Sequence, residues 1–254
     1  MPSNIKYMRF YSAIIVVSAL FSGLIAKGQV WFDLGLRGGV GTTALMNMNT
    51  WDDRDATPQI GMGNFGGGKV GVYFGMNNGI NVEFLSAKYN HGVSYETAVG
   101  PLLIEQGFKS FEIPVLYKYH SDEGSYIELG MSFGKIKSAI QGGDITFGSD
   151  DPLDFYEEKF NTAIFGFGAH VFSTNNMFTS LGFRFGYTFS DVISEAGGKD
   201  GINYYPIKYG YNPEIAYLEY KPTNPLSIML TLEVNYDLGY FVSSRCGKRA
   251  FISF

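Results

Sequence analysis

The chain has 254 residues, of which 45% are hydrophobic and 17% aromatic, and its formal net charge is −5. This acidic balance argues against nucleic acid as a partner, because nucleic-acid binding requires a basic surface. Cys246 is the single cysteine in the sequence, so an internal disulfide is excluded.

The N-terminus has the pattern of a cleaved signal peptide. Lys6 and Arg9 precede an apolar run over residues 11–25, and Ala26-Lys27-Gly28 forms a small-x-small cleavage site. The run is shorter than the ~20 residues that a transmembrane helix needs. A cleaved leader is therefore preferred to a membrane anchor, and the protein is expected to be exported.

The rest of the chain is predicted to form one domain. We expect a signal peptide over residues 1–28, a barrel domain over 29–241 and a short basic tail over 242–254. The leader contains three basic residues and no acidic ones, so its removal leaves 16 basic and 24 acidic residues and a net charge of −8. The 33 Gly, 22 Phe and 18 Tyr fit a narrow barrel, in which Gly permits close packing and aromatic rings face lipid.

Eight segments alternate apolar residues with small or polar residues at period two. In the clearest, residues 226–236, the even positions hold Leu, Ile, Leu, Leu, Val and Tyr, and the odd positions hold Ser, Met, Thr, Glu and Asn. This pattern is typical of a strand whose outer face meets lipid and whose inner face lines a polar lumen. The predicted strands span residues 31–41, 68–76, 80–89, 108–119, 125–135, 160–172, 177–189 and 226–236.

The connections between these strands alternate in length. Short turns follow strands two, four and six, over residues 77–79, 121–124 and 173–176. Long loops follow strands one, three, five and seven, over residues 42–66, 90–106, 136–158 and 190–224. Outer-membrane barrels have this asymmetry, with short periplasmic turns and long extracellular loops. It predicts that both termini are periplasmic.

These features predict an all-β fold. We expect a single closed antiparallel transmembrane β-barrel of eight strands, integral to the bacterial outer membrane and in contact with its lipid. A ten-stranded barrel is the alternative, because residues 215–220 could extend a strand or add a hairpin.

The inward face of the predicted barrel carries charges of both signs. Eight strands enclose a space that side chains fill, and a charge in such a space is costly unless it is paired. We therefore predict a salt-bridge network in which Arg184 and Lys118 pair with Glu112, Glu128, Glu83 or Glu233. Within it, we expect carboxylates such as Glu112 and Glu233 to hold Arg184. Pro114 lacks an N–H and predicts a bulge or a gap in strand pairing. The predicted network is Arg37, Glu83, Glu112, Lys118, Glu128, Arg184 and Glu233, with Tyr73 and Asp237 on the same face.

Three histidines are the starting point for an enzymatic interpretation. His120 and His170 fall near periplasmic turns, whereas His91 begins a predicted loop with Ser94 and Glu96 nearby. An exposed loop histidine is the commoner case. The sequence contains no nucleotide-binding loop, no metal-spaced Cys/His cluster and no nucleophile elbow. We therefore predict no catalytic residue, no cofactor and no metal site.

Two kinds of loop sequence are candidates for contacts outside the membrane. The acidic clusters over residues 52–55 and 144–154 have carboxylates suited to Ca²⁺ but lack the spacing of an EF-hand, so solvated charge is preferred. The last loop is rich in tyrosine, a residue that forms adaptable contact surfaces. The possible interaction surface is Tyr204, Tyr205, Tyr209 and Tyr211.

Strand four carries a motif that resembles one from a known family. Residues 111–119 read Phe-Glu-Ile-Pro-Val-Leu-Tyr-Lys-Tyr, which resembles the Leu-Glu-Ile-Pro-Leu-Leu-Leu-Lys-Tyr strand of the PorT-like outer-membrane β-barrels of Bacteroidetes, which are OmpA-like small barrels. A Gly-rich opening strand over residues 34–39, the inward Arg184 and the cleavage region accompany it, and the resemblance covers most of the mature chain. It implies fold and compartment more than activity. The family takes its name from a protein needed for type IX secretion.

The sequence thus predicts a structural or interaction component of the outer membrane that acts through its extracellular loops. The resemblance adds the expectation of an accessory role in a secretion or envelope complex, whose proteins would be its partners. A narrow solute-permeable, porin-like channel is the first alternative. An outer-membrane enzyme that uses His91 is the second.

Overall fold

The computed structural model describes residues 30–54, 56–97, 100–143, 152–174, 176–195, 220–242 and 250–253. A short helix, α1 (Met48–Asp52), follows the first strand, and a 3-10 turn (Pro152–Phe155) precedes the sixth. No helix among these residues is long and apolar enough to cross a membrane. The strands are β1 (Val30–Met46), β2 (Ala56–Phe74), β3 (Asn78–Thr97), β4 (Gly100–His120), β5 (Ser125–Gly143), β6 (Lys159–Ser173), β7 (Met177–Thr188), β8 (Asn224–Val242) and β9 (Ala250–Ser253).

Strands β1 to β8 form a closed antiparallel ring. Each strand pairs with the next, and β1 pairs with β8 from Val30↔Phe241 to Met46↔Asn224. The predicted eight-stranded barrel is confirmed, and the ten-stranded alternative is wrong because β8 is the direct neighbour of β1. β9 is an additional short strand that pairs with the end of β8. Residues 1–29, 144–151, 196–219 and Cys246 lie outside the described residues.

The barrel has two different ends. The connections over residues 75–77, 121–124 and 174–176 are short, as predicted, and we call this side the turn end. Gly75 and Gly124 have φ angles of 71° and 85°, which the absence of a Cβ permits at tight turns. The opposite side, which we call the loop end, carries the connections after β1, β3, β5 and β7.

The strands run further toward the loop end than the sequence predicted. The expected loop over residues 42–66 is mostly strand, because β1 continues to Met46 and β2 begins at Ala56. Five of the eight residues 61–68 are glycine. Because glycine has no side chain to distinguish an apolar face from a polar one, the sequence shows no alternation there. The β2–β3 register is also irregular between Ile60 and Asn64.

The prediction of a long loop over residues 90–106 is wrong. β3 and β4 continue as a paired hairpin to Thr97 and Gly100. In this extension Val93 and Tyr95 are buried on the inner face, whereas Glu96 is exposed on the outer face. In this extension the inner face is apolar and the outer face is polar, which is the reverse of the pattern nearer the turn end, so the sequence resembles a loop.

The outward face of the ring is apolar on every strand. Leu36 is 70% exposed, Leu129 60% and Leu232 51%. A continuous apolar surface of this kind is what lipid covers on a transmembrane barrel, whereas in water it would cause aggregation. We call it the apolar band; its other members include Leu34, Val40, Val70, Phe84, Phe111, Val115, Ile127, Met131, Phe133, Phe165, Phe167, Leu181, Phe183, Ile228 and Leu230, together with the half-buried Phe185.

Pro114 lies where strand pairing is interrupted. The β3–β4 register passes from Val82↔Val115 to Leu85↔Glu112, and the positions between them are not paired. On the other side, Pro114 pairs with Ser132 of β5 without a register shift. Because proline has no N–H to donate, the gap falls on the side where a ladder bond is missing.

Candidate functional site in the barrel lumen

The middle of the lumen is filled by charged side chains from seven of the eight ring strands. Each of them is no more than 4% exposed. We call this set the lumen network. It consists of Asp33 and Arg37 on β1, Lys69 on β2, Glu83 on β3, Glu112 and Lys118 on β4, Glu128 on β5, Arg184 on β7 and Glu233 on β8.

Two arginines share two carboxylates at the centre of the lumen network. Arg37 Nη1 donates to Glu83 Oε1 at 3.0 Å and to Glu128 Oε2 at 2.7 Å. Arg184 donates to both oxygens of Glu83, at 2.8 and 2.9 Å, and through Nε to Glu128 Oε1 at 3.0 Å. Bidentate, charge-assisted bonds of this kind are strong and directional. They tie together β1, β3, β5 and β7.

Glu233 is the acceptor for a second group of cations. Lys69 Nζ lies 2.5 Å and Lys118 Nζ 2.9 Å from Glu233 Oε1, and Arg37 Nη1 lies 3.2 Å from Oε2. Lys69 also lies 3.1 Å from Asp33 Oδ2. Arg37 thus joins the two groups into one continuous network.

Glu112 is held differently from the other carboxylates. It accepts hydrogen bonds from Tyr89 Oη at 2.7 Å, Ser110 Oγ at 2.8 Å and Ser132 Oγ at 3.1 Å. Of the four carboxylates predicted to pair with Arg184 and Lys118, Arg184 binds Glu83 and Glu128, and Lys118 binds Glu233. The narrower expectation that Glu112 and Glu233 hold Arg184 is wrong. The shear of a closed barrel decides which inward residues lie at one level, and the sequence does not reveal it.

The sequence prediction omitted two members of the lumen network. Asp33 and Lys69 lie on inward positions beside the outward Leu34 and Val70, so the same alternation contained the signal for them. The predicted Tyr73 is buried, and its Oη lies within hydrogen-bond distance of Asp33 Oδ2, at 3.2 Å, and of Asn81 Oδ1, at 3.1 Å. Asp237 is the register partner of Asp33 and is partly buried.

Little space remains in the middle of the lumen. A cavity of about 30 Å³ lies beside Glu112 and Arg184 and is also lined by Tyr89 and Thr162. A cavity of this size is large enough for an ordered water molecule and too small for a larger solute. Gly166 of β6 contributes to the tight fit, because a Cβ at that position would lie 2.6 Å from Glu128 Oε1.

The loop end of the lumen is closed by apolar side chains from two loops. Val192 and Ile193, from the connection after β7, are fully buried in a cluster with Phe108 and Phe160. Tyr156, from the connection before β6, joins the same cluster and forms a β-bridge with Ile193. The two loops therefore cover the lumen network from above.

Asp191 holds the loop after β7 in this position. Its Oδ1 accepts from the backbone N–H groups of Ile193 at 3.0 Å and Thr223 at 3.1 Å. The Tyr220 hydroxyl donates to Oδ2. Burial, together with the adjacent Asp191 carboxylate, raises the pKa of Tyr220, so this hydroxyl remains a donor at neutral pH. One carboxylate thus joins both ends of the loop.

At the turn end, two histidines lie beneath the lumen network. His120 Nδ1 and His170 Nε2 are 3.1 Å apart, and His170 Nδ1 is 2.8 Å from Ser180 Oγ. Trp31 stacks on Tyr73 at 4.0 Å beside them. Ser180 is fully buried, so the hydroxyl has no face open to a substrate.

His91 does not occupy the exposed loop position that the sequence predicted. It lies in β3, is 4% exposed, and its Nε2 has no hydrogen-bond partner among the described residues. Its side chain is on the inner face, opposite Gln106, whereas Ser94 and Glu96 lie on the outer face. The residues named for a catalytic use of His91 are thus on opposite sides of the strand.

The loop candidates are only partly described. Asp52 ends α1 and is exposed, as is Asp154 of the 3-10 turn. Within the described ranges, no group of three or more His, Cys, Asp or Glu side chains is arranged to hold a metal ion. Asp55, residues 144–151 and the tyrosines at 204, 205, 209 and 211 lie outside the described residues.

Comparison with family models and with curated proteins gives no match. Among solved structures, the chain is similar to Neisserial surface protein A at a TM-score of 0.40 and 11% identity, covering 80% of this chain and 96% of that one. It is similar to the outer membrane protein OprG of Pseudomonas aeruginosa at a TM-score of 0.39 and 12% identity, covering 83% and 95%. Ail, the attachment invasion locus protein of Yersinia pestis, has a TM-score of 0.31 and 12% identity, with 83% and 99% covered. The β1–β8 pairing defines the barrel independently of these similarities.

Proposed function

We propose that the protein is an integral outer-membrane β-barrel with a side-chain-filled lumen that acts as a structural or interaction component through its loop end. The observation that carries the proposal is the lumen network, in which Arg37 links the carboxylates of Glu83, Glu128 and Glu233. These bonds join strands on opposite sides of the barrel. Side chains bound in this way contribute to the framework and leave no path for a solute.

The proposed membrane location is supported by the apolar band together with the closed ring. A closed barrel satisfies its backbone hydrogen bonds internally, and the apolar band is suited to lipid. The signal peptide proposed for residues 1–28 directs the chain to export. With the turn end in the periplasm, both termini are periplasmic and the long loops are extracellular.

The interaction role is supported by the amount of ordered structure at the loop end. The hairpin of β3 and β4 continues well beyond the apolar band, and the loops after β5 and β7 pack together over the lumen. The tyrosines at 204, 205, 209 and 211 are proposed to form a contact surface for an envelope or secretion-complex protein. The PorT-like resemblance supports the class of partner.

Conductance in planar bilayers tests the closed lumen. We expect the purified full-length protein to give no single-channel steps at neutral pH. The double variant Arg37→Ala/Arg184→Ala removes both guanidinium groups and is expected to leak if it still folds. Single-channel steps from the wild-type protein would instead favour the porin-like alternative.

Affinity purification from native membranes tests the interaction role. A variant with Tyr204, Tyr205, Tyr209 and Tyr211 changed to Ser should lose proteins that co-purify with the wild type. The matched control changes exposed residues at the turn end, such as Asp122→Asn and Glu123→Gln. Identical sets of co-purifying proteins from all three samples would refute the tyrosine surface.

The enzyme alternative has no site among the described residues. It required His91 to be exposed near Ser94, and the two side chains lie on opposite faces of β3. We therefore propose a protein without enzymatic activity.

A further inference from the structure

Five lysines lie on the outward face of four consecutive strands, at the edge of the apolar band that is nearer the loop end. Lys109 is two residues from the exposed Phe111 on β4, and Lys135 is two residues from the exposed Phe133 on β5. Two residues of strand advance the chain by roughly 7 Å, which is the distance from hydrocarbon to headgroup. We call this set the lysine band: Lys88, Lys109, Lys135, Lys137 and Lys159.

The strand register places these lysines directly opposite one another. Lys88 of β3 pairs with Lys109 of β4, and Lys135 of β5 pairs with Lys159 of β6. Adjacent strands are about 4.8 Å apart, and like charges directly opposite each other are destabilising. The β4–β5 register offsets the two pairs by about two residues, because Lys135 lies opposite Phe111. Within each pair the repulsion favours a counter-charge.

The described residues supply only part of that counter-charge. Glu158 forms an ion pair with Lys135, and the hydrogen bond and charge of Lys135 lower the pKa of the Glu158 carboxyl. Within the described ranges, Lys88, Lys109, Lys137 and Lys159 form no ion pair. Glu105 lies on the same face of β4 as Lys109 but four residues further from the membrane, roughly 13 Å along the strand.

The band occupies one side of the barrel. Along the register from Lys88, the outward residues on β2 and β1 are Asn64 and Val40, which are uncharged. The mature chain is acidic overall, yet five of its 16 basic residues are in this strip. The lysine band continues the outward, apolar surface of the barrel. Its side chains therefore point sideways toward the headgroup layer and not into the lumen.

We propose that the lysine band binds the phosphate groups of a lipid headgroup in the leaflet on the loop side. Lysine is a compact cation on a long flexible stem, so several of them can surround phosphate oxygens at slightly different depths. The acyl chains of the same lipid would lie against Phe111 and Phe133 of the apolar band. The inference depends on the membrane insertion proposed above.

Lipid binding to the purified full-length barrel tests the inference. Native mass spectrometry in detergent would compare bis-phosphorylated lipid A with the same lipid after removal of its phosphates. We expect the wild type to retain the phosphorylated form preferentially. The double variant Lys88→Gln/Lys109→Gln should bind it roughly 30-fold more weakly, since each interfacial lysine contributes about 1 kcal/mol.

The matched control is Arg54→Gln/Lys221→Gln, which removes the same charge from the loops and should bind like the wild type. Equal affinity of the wild type and the Lys88/Lys109 variant would overturn the proposal, as would equal retention of the two lipids. Displacement of the lipid by the same concentration of inorganic pyrophosphate would assign the band to soluble phosphate instead. Heat-modifiable migration reports insertion separately, so a wild type that lacks it refutes the membrane proposal itself.

Discussion

Arg184 holds Glu83 across the lumen through two parallel hydrogen bonds, from Nη1 at 2.8 Å and Nη2 at 2.9 Å. The two residues are 101 positions apart in the chain and lie on strands that are not neighbours. The pair therefore forms only when the ring has closed. It makes the charge network a property of the complete barrel.

Removal of Arg184 tests this relationship. Arg184→Ala leaves Glu83 and Glu128 with less compensation, and loss of one partner of a buried ion pair costs about 3–5 kcal/mol. The temperature at which heat-modifiable migration is lost should fall clearly. A second change, Glu83→Gln, should recover part of the loss because the two residues are coupled.

Glu112→Gln is the matched control for this rescue. Glu112 is held by the hydroxyls of Tyr89, Ser110 and Ser132, so its neutralisation should not restore the Arg184→Ala variant. Rescue by Glu112→Gln but not by Glu83→Gln would contradict the observed pairing. A water-filled lumen would leave the melting temperature of all three variants unchanged.

The fit around Glu128 predicts that Gly166→Ala is destabilising. The new Cβ would lie 2.6 Å from Glu128 Oε1 and 2.8 Å from its Cγ, so the carboxylate would have to move. Overpacking of this kind costs about 1–3 kcal/mol. Gly68→Ala is the control, because the nearest atom to its Cβ, Gly35 O, is 3.9 Å away. Equal thermal stability of the two variants would argue against a tightly packed network.

The apolar band predicts a strong effect of charge on the outer face. Leu230→Arg and Phe185→Arg should each impair assembly, since an arginine at the bilayer midplane costs about 2–4 kcal/mol. Met48→Arg is the control, because Met48 is 58% exposed on α1, outside the strands. Membrane yield and heat-modifiable migration measure the outcome. Normal assembly of the two band variants would refute the assignment of this face to lipid.

The proposed orientation is tested by epitope tags on intact cells. Tags inserted after Asp53, or within the loops near residues 151 and 205, should react with antibody without permeabilisation. Tags after Asn78, Asp122 or residue 175 should react only after the outer membrane has been opened. Labelling of the Asp122 tag on intact cells would place the turn end outside and reverse the proposal.

The sequence alone determined which side of each strand faces out along the apolar band. Period-two alternation assigns Leu230 to the outside and Glu233 to the inside without knowledge of any neighbour, because successive side chains of a strand alternate. It also predicted the eight-stranded ring and the three short turns. The alternation failed in residues 61–68, where glycines replace the apolar residues that mark a face. It also failed at Val93 and Tyr95, where the apolar side chains are on the inner face.

Only the tertiary structure decided which inward residues meet. The sequence placed Arg184, Glu83 and Glu112 on the inner face, but the stagger of strands around the closed ring brings Arg184 to Glu83 and leaves Glu112 among hydroxyls. The closing of the loop end by Val192 and Ile193 was equally hidden, because irregular loop residues carry no periodicity that assigns them a side. Alternation within one strand determines whether a side chain points inward or outward. The height of that side chain along the barrel axis depends on the stagger of all the strands.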